Sequence, residues 1–281
     1  MRSFHARSRK DELHYEGIKP DRPPAAPRDR HGLVRTDALL VACGLAPSRT
    51  AAQRMVAAGR VSGPAGRIDK PSHELPADAV LHVTEDADDR FVSRGGIKLA
   101  GALAHTNLDV RGRICLDVGQ STGGFTDCLI QAGAARVVGV DVGRTQLHPR
   151  LRGDARIACF EGLNCRTLVQ DDLGDRAPDG GFDLIVADVS FISLTLILPQ
   201  LPPLLTRLGD LLLLVKPQFE VGPEHIGKGG IVTDPMLYPM VRDKLTACCT
   251  EHHLVIIDWF DSPITGTDGN HEFFLHARHG Q

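Results

Sequence analysis

The chain has 281 residues, 42% of them hydrophobic and 24% charged, a composition typical of soluble proteins with about two domains. Its net charge of −3 hides an asymmetry, because residues 1–70 carry 14 Lys and Arg against 7 Asp and Glu (14 − 7 = +7), whereas residues 71–281 carry 18 against 28 (18 − 28 = −10). The seven cysteines contain no C-x-x-C pair and no apolar segment follows the N-terminal charges, which argues against disulfides, zinc and a secretory signal. A reduced protein of the cytoplasm is expected.

Residues 1–33 are predicted to be a disordered basic tail. They mix Arg, Lys, Asp and Pro with almost no apolar periodicity and include the Pro-rich stretch KPDRPPAAPRDR. Together with the basic excess of the first 70 residues, this favours an arm that settles on RNA. A basic leader with no partner is the alternative for residues 1–30.

Residues 34–84 are predicted to form a small α+β domain. RTDALLVACGL predicts a short helix capped by Thr36 or Asp37 and ended by Gly44, and PSRTAAQRMVAAGRV predicts a second helix capped by Ser48. Gly-punctuated strands follow in VSGPAGRIDKPSHELPADAVLHV. This order of elements resembles the S-four domain, a small RNA-binding module first described in a ribosomal small-subunit protein.

The second helix is predicted to carry a basic face. Arg49 and Gln53 lie one turn apart, with further arginines nearby. The resemblance to the S-four domain implies four candidate RNA-binding residues, namely Arg35, Arg49, Arg54 and Arg60. The alternative is an ordinary solvated helix face.

An acidic linker is predicted over residues 85–92, before a larger domain at 93–281. The stretch FVSRGGIKLAGALAHTN predicts a helix that begins after Gly95 and Gly96 and packs its leucines inward. Lys98 shares the opposite face with small residues, so its amine is expected to be uncovered. Taken alone, an exposed lysine of this kind indicates only solubility.

The stretch RICLDVGQSTGGFTDCLIQ, residues 113–131, changes period in its middle. Its first part alternates as a strand does, and its last part has apolar residues at helical spacing. Between them, Gly119, Gly123 and Gly124 predict a tight loop that lets a ligand approach the backbone and the free N–H groups of a helix start. The spacing G-x-x-x-G-G departs from the dinucleotide fingerprint G-x-G-x-x-G, so a nucleoside cofactor without a pyrophosphate is expected.

The following segments predict a parallel sheet with charged residues at its carboxyl edge. RVVGVDVG is a strand ending in Asp141, which suits the ribose of a nucleoside cofactor, although a turn-capping role is the alternative. FDLIVADVSFISL and DLLLLVKPQFEVG are apolar strands ending in Asp188 and Lys216, and such runs indicate strands covered on both faces. A last strand after a helix at 235–252 and the strand LVIIDWF would bring Glu272 to the same edge if it runs antiparallel.

The longest apolar stretch, residues 194–215, is predicted to be a helix, a turn and a buried strand. Three prolines and two charged residues interrupt it, namely Pro199, Pro202, Pro203, Arg207 and Asp210. These interruptions argue against a membrane span.

From residue 93 onward the chain resembles the TlyA (haemolysin A) family, whose catalytic domain is of the FtsJ-like ribose methyltransferase type. The matching stretches are SRGGIKL, LDVGQSTGGFTDCL, VDVGRTQL, DVSFISL, LVKPQFE and GNHEFF. The resemblance implies an α/β fold, a Rossmann-like S-adenosylmethionine methyltransferase sheet that is mostly parallel with its last strand antiparallel. It also implies S-adenosyl-L-methionine as cofactor and 2′-O-methylation of ribose, of cytidine in particular, in ribosomal RNA.

The family's Lys-Asp-Lys-Glu tetrad falls on Lys98, Asp188, Lys216 and Glu272. A ribose hydroxyl is a weak nucleophile, so we assign Lys216 as its general base, because partial burial and the ammonium of Lys98 both favour a neutral amine. Asp188 and Glu272 would orient the lysines and the ribose, and no metal is required. The cofactor positions implied are Gly119, Ser121, Thr122, Gly123, Phe125, Asp141, Asn164 and Asp188, where Ser121 and Thr122 have helix capping as the alternative and Asn164 would read an adenine edge.

Two other functions fit parts of the sequence. The family's second name suggests a haemolysin that perforates membranes, but the chain offers no spanning segment, secretion signal or disulfide framework. A ribosome assembly factor that binds RNA without catalysis is the other, and the four filled tetrad positions argue against it. The partner expected in either RNA-based case is ribosomal RNA or a ribosomal subunit.

Overall fold

The computed structural model describes residues 32–46, 48–84 and 90–280, and the chain divides into two compact units after residue 85. The tail predicted for residues 1–33 lies outside the described residues except for its last two, and Leu33 opens a strand instead. The acidic linker predicted over residues 85–92 is described only from residue 90.

The first unit is a small α+β domain, as its alternating helices and Gly-punctuated strands predicted. Antiparallel pairs join β1 to β4 and join β2 to both β3 and β5, and apolar side chains of the two helices and the strands form one core. Its elements are β1 (Leu33–Arg35), α1 (Thr36–Ala42), α2 (Arg49–Ala57), β2 (Val61–Gly63), β3 (Gly66–Arg67), β4 (Glu74–Pro76) and β5 (His82–Val83).

Only one of the two predicted helix caps is present in this unit. The Ser48 side chain accepts a hydrogen bond from the backbone N–H of Ala51 and caps α2 as predicted. The first helix instead follows Arg35 without a side-chain cap. Asp37, one of the two candidate caps of α1, is fully buried and binds side chains of the same unit.

The second unit is built on one seven-stranded sheet with the strand order β11-β12-β10-β9-β6-β7-β8. Five strands, β6 to β10, run parallel, whereas β12 is antiparallel to β10 and β11 is antiparallel to β12. This confirms the predicted α/β fold. The elements are α3 (Arg94–Thr106), β6 (Ile114–Val118), α4 (Gly124–Gln131), β7 (Arg136–Asp141), β8 (Ile157–Glu161), β9 (Phe182–Ala187), β10 (Leu205–Val215), α5 (Leu237–Glu251), β11 (Leu254–Asp261) and β12 (Phe273–His279).

Both faces of this sheet are covered, which is why its strands are continuous apolar runs. One face packs on α3 and α4, and the other packs on α5 and the segment 194–204. Cys115 and Leu116, neighbours in β6, are therefore both fully buried on opposite faces. Among the cysteines, Cys115, Cys128 and Cys249 are buried, whereas Cys43 and Cys159 are exposed.

The prediction of a helix at the start of residues 194–215 was wrong. Three short 3-10 turns stand there, at Leu194–Leu196, Leu198–Gln200 and Pro202–Leu204, before β10 begins. Prolines at positions 199, 202 and 203 lack the N–H groups that a continuous helix requires. Within the described ranges no helix is both long and apolar enough to cross a bilayer.

Candidate active site

A cleft opens at the carboxyl ends of the central parallel strands. β6 leads there into the loop 119–123, β9 into Asp188, and β10 into Lys216. The start of α3 closes one side, because a side chain on Gly95 would come within 3.6 Å of Asp188 Oδ2. Eleven residues line the cleft: Ser93, Gly95, Gly119, Gln120, Ser121, Thr122, Gly124, Phe125, Asp188, Ser190 and Lys216.

The four charged residues predicted to meet in this region form two ion pairs. Lys216 Nζ lies 2.6 Å from Asp188 Oδ1 on the cleft, and Lys98 Nζ lies 2.5 Å from Glu272 Oε2. The side chains of the second pair are 9% and 2% exposed, so the prediction that the Lys98 amine is uncovered was wrong. Each charge compensates the burial of its partner, which would be costly if either were left alone.

The helix α3 connects the two ion pairs. Gly95 lies against Asp188, and Lys98 follows Gly95 by three residues, an advance of ~4.5 Å along the helix axis. Glu272, which immediately precedes β12, reaches Lys98 because β12 lies beside β10 in the sheet. The antiparallel direction predicted for the last strand is what brings its first residues to this edge.

Lys216 is fixed by the end of a strand and by a neighbouring loop. It follows Val215, the last residue of β10, and precedes the 3-10 turn Pro217–Phe219. Its amine donates a hydrogen bond to Ser190 Oγ at 2.8 Å. The amine is therefore held by two side chains, Asp188 and Ser190, that follow β9.

The glycines of the loop 119–124 bring protein segments together more than they make room for a ligand. A Cβ on Gly119 (φ +84°) would lie 2.7 Å from the carbonyl oxygen of Asp188, and one on Gly124 would strike Ser93. Gly123 (φ +92°) is covered by Leu147 and Leu151. These close approaches require glycine, and they set the walls of the cleft.

The predicted cofactor residues do not all reach the cleft. Ser121 and Thr122 are exposed there, and Phe125 also lines the cleft, although it is 3% exposed and stacks against the ring of Phe274. Gly123, Asp141 and Asn164 do not line it. Asp141 accepts hydrogen bonds from the N–H groups of Ser121 at 2.8 Å and Gly143 at 2.6 Å. Asn164 is exposed, and its side chain accepts from the N–H of Arg166 at 3.0 Å.

A buried polar network lies beneath the loop and was not anticipated. Thr126 Oγ1 donates to Asp117 Oδ2 at 2.6 Å, and Gln120 Nε2 donates to Thr126 Oγ1 at 2.8 Å. Asp117 is fully buried, and burial raises the pKa of its carboxyl to about 7, with smaller contributions from the charges of Asp188 and Asp141. The signal in the sequence is an acid inside the apolar strand ICLDV.

This network predicts that stability falls as the pH rises from about 4 to about 7. The folded state favours the protonated Asp117, whose pKa is about 7, whereas the unfolded chain ionises near pKa 3.9. The stabilisation is complete below the unfolded value and is lost as pH rises through the folded one, a change on the order of 4 kcal/mol.

Asp117→Asn should remove most of this dependence. Urea unfolding followed through the fluorescence of Trp259, the only tryptophan in the chain, measures the difference between pH 5 and pH 8. Subtracting the variant from the wild type cancels the contribution of the histidines. Equal pH dependence in both proteins would contradict the prediction.

Other residues at the cleft also escaped the sequence-based predictions. Ser93, Gln120 and Ser190 line it. Phe191 is 90% exposed on a left-handed backbone (φ +64°), and its ring centroid lies 5.3 Å from that of Phe219. The signal available in DVSFISL was an aromatic residue three positions after the acid that ends an apolar strand.

In the first unit, part of the predicted basic face is engaged in hydrogen bonds and ion pairs to a buried carboxylate, that of Asp37. Arg35 Nη2 lies 2.8 Å from Asp37 Oδ2, and Arg49 and Gln53 donate to the same carboxylate at 3.2 and 3.0 Å. The hydrogen bonds from Arg35 hold the pKa of Asp37 well below its usual range. Two of the four candidate RNA-binding arginines are thus tied to Asp37.

The other two candidate arginines differ in their surroundings. Arg60 donates from Nε to the carbonyl oxygen of Thr84 at 2.9 Å. Arg54, in the last turn of α2, is exposed. Arg54 is therefore the candidate whose guanidinium faces solvent most directly.

Comparison with known proteins shows the family to which this chain belongs. The sequence profile of the FtsJ-like methyltransferase family matches residues 91–279. The 16S/23S rRNA (cytidine-2'-O)-methyltransferase TlyA of Mycobacterium tuberculosis is 43% identical over 255 residues, which is 87% of this chain and 90% of that protein. Hemolysin A of Brachyspira hyodysenteriae is 34% identical, over 86% of this chain and 99% of its own length.

A solved structure agrees with the fold. A protein from Streptococcus thermophilus, described as a candidate hemolysin, superposes with a TM-score of 0.69 at 40% identity and covers 89% of this chain and 90% of its own. Its similarity extends over nearly all of the chain, the first unit included.

Proposed function

This chain belongs to the FtsJ-like methyltransferase family, and from that premise we propose that it methylates the 2′-hydroxyl of cytidine ribose in ribosomal RNA with S-adenosylmethionine. The observation that carries the proposal is the Lys216–Asp188 pair beside the glycine loop. It occurs in a chain 43% identical to an rRNA cytidine-2'-O-methyltransferase. Ribose methylation requires a proton acceptor at such a site, and Lys216 is suited to that role.

The residues around the loop fit S-adenosylmethionine, which supplies a methyl group on a cationic sulfur. Within the part of the chain that the structure describes, no side chain caps α4, so the N–H groups of Gly124 and Phe125 are placed to bind a carboxylate at the helix start. The exposed hydroxyls of Ser121 and Thr122 and the carboxylate of Asp188 provide further polar contacts on the cleft. Asp141 would contribute to cofactor binding indirectly, because it accepts a hydrogen bond from the backbone N–H of Ser121 and so fixes the loop.

Lys216 would take the proton that the ribose hydroxyl loses as its oxygen attacks the methyl group. The Lys216 amine is held 2.6 Å from Asp188 Oδ1 and donates to Ser190 Oγ, which fixes its position on the cleft. After the transfer, the ammonium formed from the substrate's proton is stabilised by Asp188. Lys98 and Glu272, paired one helical turn away, would orient the ribose.

Ribosomal RNA would be held in part by the first unit. Residues 34–84 have the two-helix and short-strand order expected of an S-four-like module, and we propose them as its RNA-binding domain, with Arg54 as the contact best placed for a phosphate. Arg35, Arg49 and Arg60 would act mainly by holding the fold of that domain.

We also propose that Phe191 stacks on a base next to the reacting ribose. Its exposed ring, 5.3 Å from Phe219 and three residues beyond Asp188, matches the use of aromatic rings for unpaired bases. Phe191→Ala should lower kcat/KM for ribosomal subunits about tenfold or more, from a loss of ~1–3 kcal/mol. Leu208→Ala, an equally exposed apolar residue at the start of β10, is the control, and equal kinetics in the two variants would remove Phe191 from the site.

The proposed activity is tested by transfer of a labelled methyl group to isolated ribosomal subunits. Label should appear at ribose positions that resist alkaline cleavage, because a 2′-O-methyl group blocks the attack on the neighbouring phosphate. Label found only on a base would contradict 2′-O-methylation. Failure to bind S-adenosylmethionine in calorimetry would favour a non-catalytic assembly factor instead.

Membrane lysis is the competing function suggested by the name of one relative. If lysis were a direct property of this chain, purified protein would release haemoglobin from red cells, and a Lys216→Ala variant would lyse them equally. We expect no lysis by either protein.

A further inference from the structure

The arginines of the loop between β7 and β8 take no part in the site described above. Residues 142–156, called the arginine loop below, carry four arginines and one aspartate, or +3 (4 − 1), within a region of residues 71–281 that carries −10. All four arginines are exposed: Arg144, Arg150, Arg152 and Arg156. A local positive charge on an acidic body is the pattern expected of a polyanion contact.

The arginine loop has a defined conformation. The carboxylate of Glu161 accepts hydrogen bonds from the N–H groups of Thr145 at 2.6 Å and Gln146 at 3.0 Å. Arg152 Nε donates to the carbonyl oxygen of Leu147 at 2.9 Å. A loop held in place by such hydrogen bonds loses less conformational entropy when it binds a ligand.

Two of its guanidinium groups are available for a phosphate. Arg156 pairs with Asp154 at 2.7 Å, and Arg152 is occupied in part by Leu147. Among the ion pairs of the described residues, none involves Arg144 or Arg150. A guanidinium without a carboxylate partner is well suited to bidentate phosphate binding.

The arginine loop is also attached to the loop 119–123 at three points. Asp141 bridges them, because its two oxygens accept from Ser121 of one loop and Gly143 of the other. The N–H of His148 donates to the carbonyl oxygen of Thr122 at 3.1 Å. In addition, Leu147 and Leu151, which are buried, pack over Gly123. Any ligand that stabilises one loop therefore restrains the other.

We propose that the arginine loop binds phosphates of the RNA backbone through Arg144 and Arg150, and that this contact strengthens S-adenosylmethionine binding at the loop 119–123. The inference rests on the proposed RNA substrate. The coupling must be reciprocal, so the bound methyl donor strengthens RNA binding by the same factor. Such coupling would favour methyl transfer only when both reactants are present.

RNA binding is tested with Arg144→Gln/Arg150→Gln and, as a matched control outside the loop, Arg176→Gln/Arg207→Gln. Filter binding uses ribosomal RNA extracted from ribosomal subunits over a series of salt concentrations. The loop variant should bind about tenfold more weakly, and its slope of log Kd against log salt should fall by about 1.5, as two lost phosphate contacts require. Affinity and slope equal to those of the control would overturn the phosphate contact.

The coupling is tested by calorimetry of S-adenosylmethionine with and without the same RNA. RNA should lower the Kd of the wild type about fivefold or more, and the loop variant should show no such change while keeping the RNA-free Kd. Leu151→Ala, which loosens the packing on Gly123, should keep RNA affinity but reduce the coupling. Absence of any RNA effect on the wild type would overturn the coupling.

Failure of this inference can be told apart from failure of the proposed function. If the wild type labels ribose in ribosomal subunits and the loop variant binds RNA normally, only the role of the arginine loop is lost. If the wild type transfers no methyl group to ribosomal RNA, the proposed function is lost with it.

Discussion

Replacing Lys216 with arginine should abolish methyl transfer while preserving the fold and the affinity for S-adenosylmethionine. Arginine keeps a positive charge beside Asp188, which lies 2.6 Å from the lysine amine, but its guanidinium does not lose a proton in proteins. If Lys216 is the proton acceptor, the rate of transfer should fall by about 10²–10⁴. The rate of the Lys216→Met variant, which also lacks the charge, should fall by at least as much.

The two Lys216 variants separate proton transfer from electrostatics. Single-turnover transfer to ribosomal subunits gives the rate, and calorimetry gives the Kd for the donor. Lys228→Met, at an exposed position, removes a lysine of the same unit outside the cleft and should react at the wild-type rate. A Lys216→Arg protein that kept more than a tenth of the wild-type rate would show that charge alone is needed.

Replacing Asp210 with alanine should destabilise the second unit by ~3–5 kcal/mol, because it breaks a buried charge network. Asp210 is fully buried and accepts hydrogen bonds from Arg113 at 2.8 Å, His276 at 2.7 Å and Arg278 at 2.6 Å. These bonds keep the pKa of Asp210 well below its usual range despite its burial. They join β10 to β12 and to the residue before β6.

Urea unfolding followed by Trp259 fluorescence measures this effect directly, because Trp259 lies in β11 beside β12. Asp175→Ala, at a side chain that is 92% exposed, is the control and should change the free energy of unfolding little. Because a lowered pKa stabilises the folded state above the unfolded value of ~3.9, the difference between wild type and Asp210→Ala should shrink below about pH 4. A full difference that persists at pH 3 would contradict the ionic explanation.

The methyltransferase fold was predictable because its signals are local. Apolar runs such as FDLIVA and LLLLV read as strands buried on both faces, and the change of period across residues 113–131 marks a strand, a loop and a helix. The acids and the lysine that end these strands were predicted at one edge, since parallel strands share their carboxyl ends. The helix predicted before β10 was wrong, because the prolines in that segment produce 3-10 turns instead.

Other features depended on contacts between distant parts of the chain. Nothing near Lys98 in the sequence indicates burial, because its partner Glu272 lies 174 positions away and arrives only through the place of β12 in the sheet. Asp37 was one of two candidate caps of α1, but the packing of α1 against α2 gives it Arg49 and Gln53 as partners. The sequence shows which side chains are charged, but it does not show which of them pair in the folded protein.

By itself, the sequence determined the α/β class, the glycine loop at 119–124 and the position of Asp188 and Lys216 at strand ends of one sheet edge, because periodicity, glycine spacing and strand ends are properties of short segments. The tertiary structure alone decided that the tetrad forms two ion pairs, that Asp117 is buried with a raised pKa, and that the arginine loop rests on Gly123. Those outcomes depend on strand order and on which loops meet at the sheet edge. Because charge interactions and burial act through space, their partners are settled only when the chain is folded.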